Sequence, residues 1–174
     1  MNLNEYQELA NRTAAPITPE VVERLREYEP DVLALLRSLR SYGERLNVYK
    51  RYVFYGKRDP DLPEPVTNSL SIPLPLTATV IRRTDIIHAI VGLATELAEL
   101  VECLNRPDFD SINFGEELGD SLWYLARGAS ADDRWLTAIG HANIAKLRAR
   151  YPDKYSDVNA VERNLDAERK TLEG

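Results

Sequence analysis

The sequence predicts an all-α protein built as an antiparallel helical bundle. Three observations predict it. Apolar residues recur at three- and four-residue spacing through most of the chain. Capping residues, glycines and prolines cut those stretches into helix-length pieces. The connection over residues 57–80 carries Pro60, Pro63, Pro65, Pro73 and Pro75, a density no helix survives.

The elements follow in order. LNEYQELANRT, residues 3–13, puts Leu3, Tyr6 and Leu9 or Ala10 on one stripe and predicts a short amphipathic helix. Thr18-Pro19 is a helix start, a capping hydroxyl followed by proline in the first turn. That helix is expected to run to Tyr28, and Glu29-Pro30 to begin another with a bend in the path. Val32, Leu35, Leu36, Leu39 and Leu46 form its inward stripe, with the helix continuing to Tyr55 and stopping at Gly56. SIPLPLTATV, residues 71–80, reads as extended, strand-like against an edge or a partner. A connection this long is often a lid, an arm or a linker. Thr84 is the expected cap of a helix to Leu104. Asn105 to Asp108 form a turn, and Ser111 or Asn113 opens a helix to Gly128. Ser130 and Asp133 resemble a capping box for a helix over 132–150. Tyr151-Pro152-Asp153 breaks it, and Ser156 or Asp157 caps a last helix to Leu172.

Composition narrows the function. Hydrophobic residues make up 44% of the 174, enough for a core without staples. The net charge of −6 argues against nucleic acid or an anionic membrane as the main partner, because phosphate surfaces attract a basic footprint. Cys103 is the single cysteine, so no internal disulfide forms, as expected in a reducing cytoplasm. The polar opening MNLNEYQELA has no apolar signal core, and no apolar run reaches membrane-spanning length. The expectation is a soluble, cytoplasmic protein.

The stretch GLATELAELVE, residues 92–102, sets Glu96, Glu99 and Glu102 among small apolar residues. Glu96 and Glu99 lie one turn apart on nearly the same helix face. Glu117 and Asp120 repeat the spacing in EELGDSLWYLA, residues 116–126. A short connection makes the two helices antiparallel neighbours, so the two pairs can face each other. Like charges at roughly 4 Å repel by about 4 kcal/mol per pair at an effective dielectric near 20. Cations or protons make that tolerable, and hard divalent ions with oxygen ligands, Mg²⁺ above all, with Mn²⁺ as a substitute, are the natural counter-charge. An isolated ExxE is most often a solvated face. Here the surroundings are apolar nearly all round, and buried carboxylates need partners. Glu102 and Glu116 read as outlying or surface groups.

A di-iron bundle would require two Glu-x-x-His pairs, and neither His88 nor His141 lies three after a glutamate. His88 reads as a core or seam histidine. Zinc sites of cysteine and histidine are excluded by the inventory. NIAKLRARYPDKYS, residues 143–156, places Asn143, Lys146 and Arg150 on one helical stripe, either a solvated basic face or a set of anion contacts. KRYVFYGKR, residues 50–58, interleaves four basic residues with aromatics. It reads as a helix with an aromatic inner and a basic outer face, or as a lid touching base or phosphate.

The ordered set resembles the all-α nucleoside triphosphate pyrophosphohydrolases, the MazG-like proteins. Their E-x-x-E, spacer, E-x-x-D signature is matched by Glu96-Leu-Ala-Glu99 and Glu117-Leu-Gly-Asp120. GLATELAEL and EELGDSLWYLA resemble the flanks of the two motifs. ANIAKLRARYPDKYSD, AVERNLDAERK and MNLNEYQELANRTA resemble the tail and opening helix of small, phage-type members. The resemblance covers roughly residues 1–15 and 84–172. It departs at Thr95, where many members have glycine. It departs again at Cys103, Leu104 and Asn105, where lysines are usual, and in the insertion over 16–80.

The resemblance implies one domain over 1–174: an opening helix (1–15), an insertion with helices and a proline-rich arm (16–80), and catalytic helices (84–172). It implies that Glu96, Glu99, Glu117 and Asp120 hold Mg²⁺ and serve catalysis. Asn143, Lys146 and Arg150 would contact the polyphosphate of a nucleoside triphosphate, which is cleaved to the monophosphate and pyrophosphate. It implies a homodimer or homotetramer, with no nucleic-acid or membrane partner. The alternative is a hydrolase, or a non-catalytic binder, of a guanosine alarmone or modified nucleotide.

Overall fold

The computed structural model describes residues 1–64, 77–106 and 108–173. Its described residues form seven helices: α1 (Leu3–Asn11), α2 (Pro19–Tyr55), α3 (Ala78–Asn105), α4 (Ser111–Ala131), α5 (Leu136–Arg150), α6 (Asp157–Val161) and α7 (Leu165–Glu173). Among them there is no strand. The chain divides into two compact units, one of residues 1–27 and 134–174, the other of residues 28–133.

The second unit is organised by α3 and α4. The expected cap at Thr84 lies seven residues too late. Thr77 is the cap, its side chain accepting from the Val80 amide, and residues 78–80 are the first turn of α3. Thr84 instead bonds back to the Val80 carbonyl inside the helix. The rest of the proposed extended arm, residues 71–76, lies outside the described residues, as do Pro65, Pro73 and Pro75. Asp110 caps α4, accepting from the Ile112 and Asn113 amides. The two helices run antiparallel, because residues rising along α3 meet residues falling along α4. An added Cβ on Gly92 would strike the Tyr124 ring, and one on Gly128 would meet Ala89. Asn113 donates to the Cys103 sulfur at 3.2 Å. This register sets Glu99 level with Glu117 and Glu96 level with Asp120.

α2 is one helix of 37 residues, with Pro30 inside it where a second start was expected. It ends at Gly56, which takes the left-handed conformation (φ 66°) and donates to the Tyr52 carbonyl. Val32 and Leu35 are exposed, so the inward stripe differs from the one expected. It passes instead through Leu36, Leu39, Gly43, Leu46, Lys50 and Phe54. Gly43 is in the stripe for a steric reason: a Cβ there would collide with Ala98 of α3.

In the first unit, α1 opens with a capping box between Asn2 and Glu5, and α5 packs against both α1 and α7. The expected box at Ser130 and Asp133 does not form. Ser130 lies within α4 and bonds to the Ala126 carbonyl, Asp133 has φ 53°, and α5 begins at Leu136 without a side-chain cap. The expected last helix is two. Ser156 caps α6, and Asn164 accepts from the Ala167 amide to restart the chain as α7.

Candidate functional site

The antiparallel register of α3 and α4 brings three carboxylates together. Glu96, Glu99 and Glu117 each offer an oxygen, and these oxygens lie within 4.8 Å of one another. Glu96 and Glu117 are buried, 4% and 5% exposed, and Glu99 is half-buried. Asp120 stands outside this trio. It is exposed, and it lines a cavity of about 410 Å³ together with Lys50, Tyr55, Glu96, Glu99, Trp123 and Tyr124.

The electrostatics follow from burial and crowding. Burial raises the Glu99 pKa, and the charges of Glu96, Asp120 and Glu102 raise it further, against the lowering effect of Lys50. Glu117 is pushed up to about 7, first by burial, then by the Glu99 charge and a hydrogen bond with Glu96. The donor set is entirely carboxylate oxygen, which suits a hard divalent cation rather than a soft one.

This cluster makes a stability prediction. Between its ordinary 4.5 and about 7, folded Glu117 holds a proton that the unfolded chain has released. Its contribution to stability therefore falls as pH rises through that window. His88, whose pKa burial and the Arg127 charge lower, contributes with the opposite sign, so the informative comparison is wild type against Glu117→Gln. In chelator the variant is expected to melt higher than wild type above pH 7, with the gap closing toward pH 4.5. A gap that does not change with pH would remove the raised carboxyl.

Aromatic residues border the acids. His88 stacks on Phe54 with centroids 4.1 Å apart and meets Tyr55, Trp123 and Tyr124 edge-on. The Tyr55 hydroxyl lies 3.2 Å from His88 Nε2. Glu102 turns outward to Arg40 and Arg106, and Glu116 is exposed.

The basic stripe belongs to the other unit. Asn143 Oδ1 accepts from the Tyr6 hydroxyl at 3.1 Å. Arg150 grips Glu168 with two nitrogens at 2.8 and 2.5 Å, and Arg163 reaches the same carboxylate. Those two cations hold the Glu168 pKa down at about 2. Lys146 is half-buried. Asn143 and Arg150 thus carry bonds within their own unit.

The residue that sequence reasoning passed over is Lys50. It is 8% exposed, and its ammonium donates to Thr95 Oγ1 at 2.7 Å and to Glu96 Oε1 at 3.1 Å. The signal was its place on the apolar stripe, seven residues after Gly43.

Over 68 residues the chain is 37% identical to the Gene 37 protein of Mycobacterium phage L5. The match covers 35% of this chain and 59% of that protein, so the chain spans less than two thirds of the relative's length. No protein-family model matches the chain, and no solved structure does. Among the described residues, no helix is long and apolar enough to cross a membrane.

Proposed function

We propose that the protein is a divalent-metal-dependent pyrophosphohydrolase of MazG-like type, cleaving a nucleoside triphosphate to the monophosphate and pyrophosphate. The observation that carries this reading is the convergence of Glu96, Glu99 and Glu117 beside a cavity lined by Asp120, Lys50 and aromatic rings. The cavity's volume lies in the range of small-molecule sites. Aromatic faces suit a planar base, and an acid cluster suits a metal-bound polyphosphate.

Glu96, Glu99 and Glu117 would hold the ion, with Asp120 at the rim, and Mg²⁺ or Mn²⁺ would supply charge neutralisation and a more acidic water. Burial and the neighbouring carboxylates favour a proton on Glu117 in the metal-free cluster, and that proton would leave as the ion binds. The protein contributes positioning and preset charge rather than covalent chemistry.

Self-association belongs to the same proposal. Leu118, Leu122, Trp123 and Leu125 of α4 are exposed, 43 to 50%, beside the acidic residues. A homodimer or homotetramer would cover them. Light scattering on the active species should give a multiple of 19.8 kDa, and a fully active monomer would contradict it.

The activity is tested by incubating the chain with each ribo- and deoxynucleoside triphosphate in Mg²⁺ and resolving the products. Monophosphate plus pyrophosphate is expected. Diphosphate plus phosphate, or no turnover of any of them, counts against the proposal, the latter favouring an alarmone or modified-nucleotide ligand.

A further inference from the structure

Lys50 lies on α2, outside the two helices that carry the acidic motifs, yet its ammonium sits among their carboxylates. Its placement is built in several layers. Gly43, two turns earlier, lets α2 come close enough to Ala98 for the lysine stem to enter. Thr95, 1% exposed, donates its hydroxyl to the Gly92 carbonyl at 2.7 Å, which leaves its oxygen lone pairs to accept from Lys50. Glu96 accepts the second ammonium proton, and the Tyr124 ring lies with its centroid 5.4 Å from Nζ. A buried cation needs anions and a crowded carboxylate cluster needs a cation, and here one contact meets both needs.

We propose that Lys50 is the site's own resident cation, neutralising Glu96 until a divalent ion takes that carboxylate from it. The inference rests on the metal reading above and adds a competitor to it. The lysine stem is flexible and its ammonium is a point charge, so it can give up one oxygen without a change of fold. The site then remains assembled without metal, and the affinity for metal is set against a fixed internal charge.

The test is Mn²⁺ titration of the full chain, followed by the loss of the free-ion paramagnetic signal, for wild type and Lys50→Met. The variant keeps an apolar stem of similar length and removes the charge. It is expected to bind Mn²⁺ about tenfold more tightly, the scale of one partly screened internal charge. Equal or weaker binding than wild type overturns the inference while leaving the metal site standing. Failure of wild type itself to bind Mn²⁺ removes both readings.

Should Lys50→Met fail to fold, the wild-type chain decides the matter. Reductive methylation read by mass spectrometry should find Lys50 protected in chelator and reactive in saturating Mn²⁺. The same reactivity in both overturns the inference.

Discussion

Glu99→Gln is expected to fold, to melt no lower than wild type in chelator, and to lose at least about a hundredfold in metal-dependent pyrophosphate release. The two halves of this expectation have one cause. Glu99 is half-buried beside Glu96 and Glu117, and burial followed by the Glu96 charge raises its pKa. Its ionised form is therefore held against repulsion. Glutamine keeps the size of the side chain and removes that repulsion, so the metal-free fold gains or is unchanged. It also removes the anionic oxygen that would bind the ion, and activity falls. Glu99 is preferred to Glu96 because Glu96 also holds Lys50, so replacing it would disturb two functions at once. Activity assays and melts on one preparation read both halves. A variant that keeps near-full turnover shows that Glu99 is a structural carboxylate.

Gly92→Ala is expected to destabilise the protein by about 2–3 kcal/mol, the cost of overpacking a tight core position. The cause is local and steric. A Cβ at Gly92 would overlap the Tyr124 ring, a ring carried by α4 and itself 6% exposed. Neither side yields easily: Gly92 lies within α3, and Tyr124 is fixed by contacts with Trp123 and His88. The helices must separate or the ring must leave. Because Tyr124 also faces Lys50 and lines the acidic cavity, weaker Mn²⁺ binding should accompany the loss of stability. Denaturant unfolding checks the first effect, and a midpoint within error of wild type would show that the helix pair tolerates the added carbon.

Much of this arrangement was legible in the sequence, for reasons that particular residues make plain. Helical period alone put Glu96 with Glu99 and Glu117 with Asp120. A short connection made the two helices antiparallel, and the structure sets Glu99 level with Glu117. What period could not say is which member of the second pair turns inward. Glu117 does, and Asp120 remains at the rim.

Helix ends were less legible, because several residues could act as caps at each. Thr77 rather than Thr84, and Asp110 rather than Ser111 or Asn113, won by having an extended backbone that aims the side chain at the next turn's amides. Glu29-Pro30 predicts a bend and a second start, yet α2 runs through it, since proline's fixed φ is helical and one lost hydrogen bond does not end a helix of 37 residues.

Lys50 was hidden by its neighbours. In KRYVFYGKR a basic and aromatic mixture resembles a solvated helix face, and four cations look equivalent. Only one of them falls on the stripe of Leu36, Gly43 and Leu46. A lysine on an apolar stripe is the pattern that marks a buried charge with a partner on another helix. The stripe of Asn143, Lys146 and Arg150 shows the reverse. Its spacing fits either a solvated basic face or anion contacts, and it does not announce that Arg150 is engaged by Glu168, eighteen residues on.

On the proposed reading, these carboxylates support metal-dependent attack by water on a nucleoside triphosphate. The most direct measurement is hydrolysis in ¹⁸O-water, with Mg²⁺ and with chelator, followed by mass spectrometry of the products. One ¹⁸O in the nucleoside monophosphate, none in pyrophosphate, and no products in chelator are expected. Label in pyrophosphate, turnover that ignores chelator, or no turnover of any nucleoside triphosphate would contradict it.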